Sequence, residues 1–143
     1  VSAFLTHEHE ENVSTNYRIL LVEDDEDDVI MMSQLIQRIL HHEVGVARDG
    51  LEAIRMAQSE RYNLVLLDLV LPNLHGFDVA RSLRRMEAYR DVPIIALTAY
   101  DMQDVRERAL EAGCDEVLSK PVGINRLILL ISDLLRPGPA EPG

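Results

Sequence analysis

Short apolar runs alternate with stretches of helical periodicity along most of this chain, and that alternation constrains the fold more than any other feature. Ile19-Leu-Leu-Val22, Leu64-Val-Leu-Leu67 and Ile94-Ile-Ala-Leu97 are continuous apolar runs of strand length, with Glu43-Val-Gly-Val-Ala47 and Glu116-Val-Leu-Ser119 as weaker ones. A run without polar alternation suits a strand buried on both faces, as in a parallel sheet covered by helices. After each run comes an amphipathic pattern. Val29, Met32, Leu35, Ile36 and Ile39 form the first; Leu51, Ile54 and Ala57 the second; Phe77 to about Met86 spans the third. Val105 and Ala109 mark the fourth, and Ile124, Leu127, Ile128, Ile131, Leu134 and Leu135 the fifth, with Leu129 nearly opposite that last stripe. Asp25, Asp49 and Asp101 stand where N-caps belong, and Gly113 where a left-handed helix stop belongs. Asp27 and Asp28 fall in the first helical turn, where the helix dipole favours anions.

Five strand–helix units in this order predict an α/β fold: a doubly wound five-stranded parallel sheet of order 2-1-3-4-5 with helices on both faces, the flavodoxin-like arrangement. Residues 17–136 are expected to form it. Residues 1–16 are polar, and 137–143 are rich in proline and glycine; both read as flexible tails. His7 and His9 lie in the first tail without a scaffold, so no metal site is expected there or at His41 and His42.

Ligands of such sheets bind beyond the carboxyl ends of the strands, at the switch point between strands 1 and 3. Here those ends carry Glu23-Asp24-Asp25 and Asp68. Crowded carboxylates repel and are costly to desolvate unless a cation neutralises them, and an all-oxygen set suits a hard ion such as Mg2+. Strand 4 ends in Thr98, a hydroxyl, and strand 5 is followed by Lys120, an ammonium. That combination suits a phosphoryl group: a central carboxylate attacks, metal and lysine balance charge on the equatorial oxygens, and the hydroxyl donates a hydrogen bond. The formal net charge of -11 argues against direct nucleic-acid binding. No apolar run reaches membrane-span length, and no secretory leader is evident. The single cysteine, Cys114, excludes an intrachain disulfide and fits a cytoplasmic setting.

Ile19-Leu-Leu-Val-Glu-Asp24, Leu66-Leu-Asp-Leu-Val-Leu-Pro72 with Gly76, Ala96-Leu-Thr-Ala99 and Ser119-Lys-Pro121 resemble the motifs of bacterial two-component response-regulator receiver domains, over roughly residues 17–135. The resemblance implies that Asp68 is the phosphoacceptor and that Glu23, Asp24, Asp68 and the Val70 backbone carbonyl hold Mg2+. Thr98 would be the hydroxyl that moves toward the phosphoryl group. Lys120, held by a cis bond to Pro121, would be the phosphate-pairing lysine. It further implies a phosphoacceptor that catalyses its own phosphorylation and dephosphorylation rather than a conventional enzyme. The implied partners are a sensor histidine kinase or histidine phosphotransfer protein and a downstream protein target, with neither nucleic acid nor membrane; a homodimer through the helix 4–strand 5–helix 5 face is also allowed. Two positions depart from the family's habit. His75 stands where Asp or Asn is frequent, in a loop where little effect is expected. Val117 occupies the place of a switching aromatic, which leaves Tyr100 as the aromatic best placed to couple to the output face. The rival readings are a receiver belonging to a hybrid kinase or multidomain regulator, and a flavodoxin-like electron carrier. The second is opposed by the acid at Glu23 to Glu26, where a flavin phosphate needs an amide-lined loop.

Overall fold

Parallel pairing joins all the strands among the described residues, 16–136 of the computed structural model. The order along the chain is β1 (Arg18–Val22), α1 (Glu26–Gln34, prolonged by a π-helical turn, Leu35–Ile39), β2 (Glu43–Ala47), α2 (Gly50–Ser59) and β3 (Leu64–Asp68). Then follow α3 (Gly76–Arg85), a 3-10 turn (Glu87–Tyr89), β4 (Ile94–Thr98), α4 (Met102–Ala112), β5 (Glu116–Ser119) and α5 (Ile124–Leu135). The sheet order is β2-β1-β3-β4-β5, as the alternation of runs and helices requires. The expected tails fall almost wholly outside the described residues, as do His7 and His9.

Because side chains alternate across a strand, each strand feeds two cores. Leu20, Val22, Val65, Leu67 and Ala96 pack with residues of α2, α3 and α4, such as Ala53, Val79, Leu83, Val105 and Ala109. Ile19, Leu21, Leu66, Ile95 and Leu97 face the other way, onto Met32 and Ile36 of α1 and Leu127 and Ile131 of α5. β3 and β4 are buried throughout, whereas the edge strand β2 is only partly covered, which explains its weaker apolar run.

The caps stand where the sequence places them. Asp25 accepts from the amides of Asp27 and Asp28, Asp49 from Glu52, and Asp101 from Gln103, while Gly113 closes α4 in the left-handed region at φ 115°. Three apolar residues assigned to inward stripes are instead exposed. Ile39 is the last residue of the π turn, whose wider helix (Leu40 N–H to Leu35 O, 3.1 Å) turns it off the buried face. Leu51 lies about 125° round α2 from the centre of the stripe of Gly50, Ala53 and Ala57, at about 100° per residue. Ile124 is the first residue of α5, ahead of the positions, Leu127 and Ile131, that are buried. Leu129 is exposed as expected. Cys114 is buried, and burial pushes its thiol up to about 12, so it behaves as an inert core residue.

Candidate functional site

The register of the sheet assembles the site. Val22 pairs with Leu67 and Thr98 with Ser119, so the residues that follow or end these strands stand side by side at one edge. Glu23 has no exposed surface, Thr98 none, and Asp68 only 5%. Polar groups buried to this degree need partners. Asp68 has two: its Oδ1 accepts from the Val70 amide at 2.9 Å, and its Oδ2 accepts from Lys120 Nζ at 2.9 Å. Glu23 Oε1 also accepts from Lys120 Nζ (2.9 Å), and its Oε2 from the Asp25 amide (3.1 Å).

Among the described residues, Glu23, Asp24 and Asp68 are the one group of acidic, histidine or cysteine side chains that could hold a metal ion, their ligand oxygens lying within 4.8 Å of one another. Burial, reinforced by the neighbouring Asp68 and opposed by Lys120, pushes the Glu23 carboxyl up to about 7. Three carboxylates, Glu23, Asp28 and Asp68, share the single ammonium of Lys120, so acidic groups outnumber the cation here. An all-oxygen set with unmet negative charge fits a hard divalent cation. Lys120 is itself raised above its ordinary value; burial opposes this, but its hydrogen bonds to Glu23, Asp68 and Asp28 outweigh it.

Lys120 reaches the cluster from the end of β5, where the bond to Pro121 is cis, as expected. Its amide donates to the Thr98 carbonyl at 2.8 Å, tying the two strand ends together. The Thr98 hydroxyl accepts from the Tyr100 amide at 2.9 Å. Tyr100 is half exposed, whereas Val117 is buried and lines a cavity of about 320 Å3 with Met102, Pro121 and Arg126. A second cavity, of about 380 Å3, opens beside Lys120 between Met31 and Met32 of α1 and Val122 of the β5–α5 loop.

Two residues play parts that the sequence reading did not give them. Asp28, assigned to the helix dipole, reaches Lys120 Nζ at 3.0 Å. His75 caps α3, accepting from the Phe77 amide at 3.4 Å and stacking on the Phe77 ring at 5.0 Å, while Arg108 covers that ring at 4.6 Å. The only hint in the sequence was position: Asp28 sits one turn past Asp24, and His75 immediately precedes a helix.

A doubly wound sheet with a carboxylate cluster at its switch point, a lysine before a cis proline reaching that cluster, and a hydroxyl at the end of the intervening strand β4 defines a receiver-type site. The chain belongs to the response regulator receiver domain family, which matches residues 19–132. It is 33% identical over 117 residues to the polar-differentiation response regulator DivK of Brucella anthropi, covering 82% of this chain and 94% of DivK. Among solved structures, the receiver domain of sensor histidine kinase PA1611 of Pseudomonas aeruginosa is 37% identical with a TM-score of 0.77, covering 84% of this chain and 98% of that one. That structure has a magnesium ion coordinated in its active-site cleft. The chemotaxis response regulator CheY4 of Vibrio cholerae superimposes with a TM-score of 0.79 at 27% identity, covering 84% and 99%. The chain is thus a receiver domain related to DivK and CheY response regulators, and the flavodoxin reading is not favoured. No helix of the described residues is long and apolar enough to cross a membrane.

Proposed function

We propose that this receiver accepts a phosphoryl group on Asp68 from a histidine kinase or histidine phosphotransfer protein, in the cytoplasm, and signals by protein contact. The observation that carries the reading is the setting of Asp68: a nearly buried carboxylate, held at both oxygens, at the centre of the acidic cluster and in contact with the lysine. An Asp68 oxygen forms a bond to phosphorus as the phosphorus–nitrogen bond of the phosphohistidine breaks. The electron pair leaves with the imidazole nitrogen, which takes up a proton, and Asp68 becomes a mixed acyl phosphate. In hydrolysis, a water oxygen bonds to phosphorus as the phosphorus–oxygen bond to Asp68 breaks; the electron pair returns to the Asp68 carboxylate, and inorganic phosphate leaves with the water's proton released.

Glu23, Asp24, Asp68 and the Val70 carbonyl would hold Mg2+, which when bound supplies positive charge to the transferring oxygens. Lys120 supplies the second positive charge and hands its Asp68 bond to a phosphoryl oxygen. Thr98 gives up the Tyr100 amide and donates its hydroxyl proton to another phosphoryl oxygen. Since Thr98 and Lys120 flank the β4 and β5 ends, their shift moves the Tyr100 loop, Pro121 and the groove beside Val117. The α4–β5–α5 face is therefore the output surface for a protein target, and the face on which a second copy would pair. Incubation with Mg2+ and acetyl phosphate should add one phosphoryl mass, and Asp68→Asn should remove it. Full labelling of that variant would exclude Asp68.

A further inference from the structure

Lys120 sits in a cradle of three carboxylates, not two. Its ammonium donates to Glu23 Oε1 at 2.9 Å, to Asp68 Oδ2 at 2.9 Å and to Asp28 Oδ2 at 3.0 Å. An ammonium has three N–H donors, so each is committed to a different carboxylate. The three come from different elements: Glu23 from the end of β1, Asp68 from the end of β3, and Asp28 from the first turn of α1. The lysine stem has four rotatable carbons and would otherwise sample many positions. Two anchors define an axis about which the ammonium can still turn; a third from outside that axis fixes it. The first-turn position does not by itself explain Asp28. Asp27 occupies the same turn, is exposed, and its side chain takes no part in the cradle.

We infer that Asp28 is a positioning residue for phosphoryl transfer: acting through Lys120, it holds the ammonium where it meets the incoming phosphoryl oxygens. The inference rests on the function proposed for Asp68. When Asp68 is esterified, its oxygen loses the charge that attracts the ammonium, and that one N–H passes to the phosphoryl group. Asp28 and Glu23 keep theirs, so the lysine pivots on two fixed contacts and does not have to find its place anew.

The test compares wild type, Asp27→Ala, Asp28→Ala and Asp28→Asn for the limiting rate of labelling by acetyl phosphate at saturating Mg2+, followed by intact mass. Mg2+ affinity of each is measured separately by calorimetry. Loss of one charge-assisted anchor should slow Asp28→Ala about tenfold, with Mg2+ affinity changed far less. Asp27→Ala should match wild type. Asp28→Asn, which keeps an acceptor oxygen of the same reach, should recover much of the rate. Asp28→Ala labelled at the wild-type rate, Asp28→Asn as slow as Asp28→Ala, or a rate loss matched by an equal loss of Mg2+ affinity would each overturn the inference. A wild type that takes no label would refute the proposed function itself, whereas a labelled wild type beside a fully active Asp28→Ala refutes the role of Asp28 alone.

Discussion

Acidification should stabilise the metal-free protein through Glu23, over a range in which most carboxylates contribute nothing. The Glu23 side chain is fully buried, shares Lys120 with two other carboxylates and faces Asp68, and its carboxyl is pushed up to about 7 from 4.5. Between those two values the folded protein holds a proton that the unfolded chain does not. The contribution is therefore fully present below pH 4.5 and is lost as pH rises through about 7. At about 1.4 kcal/mol per pH unit, the window is worth on the order of 3 to 4 kcal/mol. Among the described residues, two groups act in the opposite sense. His42 is lowered by burial and then by His41, and Asp49 is lowered chiefly by the Glu52 amide; both cost stability as pH falls. The quantity to read is thus the difference between wild type and Glu23→Gln in urea unfolding at pH 5.5, 7 and 8.5, with chelator present. Wild type should lose stability relative to Glu23→Gln as pH rises, and saturating Mg2+ should abolish the trend because a cation favours the ionised carboxyl. Parallel curves for the two proteins would refute the reasoning.

Two substitutions probe neighbouring parts of the site. Asp24→Ala removes an exposed ligand oxygen of the acidic cluster without touching Lys120, so Mg2+ affinity should fall about tenfold while unfolding midpoints change little; calorimetric titration reads this directly. Tyr100→Ala removes the half-exposed aromatic group of the residue whose amide holds the Thr98 hydroxyl, and the half-life of the phosphorylated protein should shorten a few-fold, roughly 1 kcal/mol or less of barrier, with the labelling rate retained. An unchanged half-life would place the signal elsewhere on the α4–β5–α5 face.

The sheet was legible because each strand is an apolar run closed by a polar group, and because the caps Asp25, Asp49 and Asp101 and the stop at Gly113 use local chemistry that needs no tertiary context. Glu23, Asp68, Thr98 and Lys120 were legible for a related reason: parallel register brings strand ends together whatever lies between them. What could not be read depends on how far long side chains reach. Arg84 looks like a helix-end cation that answers the dipole. Instead its guanidinium satisfies the carbonyls of Gly113 (2.9 Å), Tyr89 (2.7 Å) and Val92 (2.7 Å) and pairs with Asp115, tying α3 to the loops around β4 and β5. Asp28 was hidden in the same way, since a carboxylate in a first turn has a sufficient local explanation. Ile39 was misplaced because nothing in the periodicity announces the π turn that it ends.

The central claim is that Asp68 carries the phosphoryl group. Acyl phosphates are reduced by borohydride, which converts the modified aspartate to homoserine. After treatment with acetyl phosphate and Mg2+, reduction and digestion, the peptide containing residue 68 should carry homoserine at that position, and no other peptide should change. The conversion should vanish when Mg2+ is chelated. Homoserine at Asp24, Asp28 or any other carboxylate, or none after demonstrated uptake of phosphate, would contradict the account.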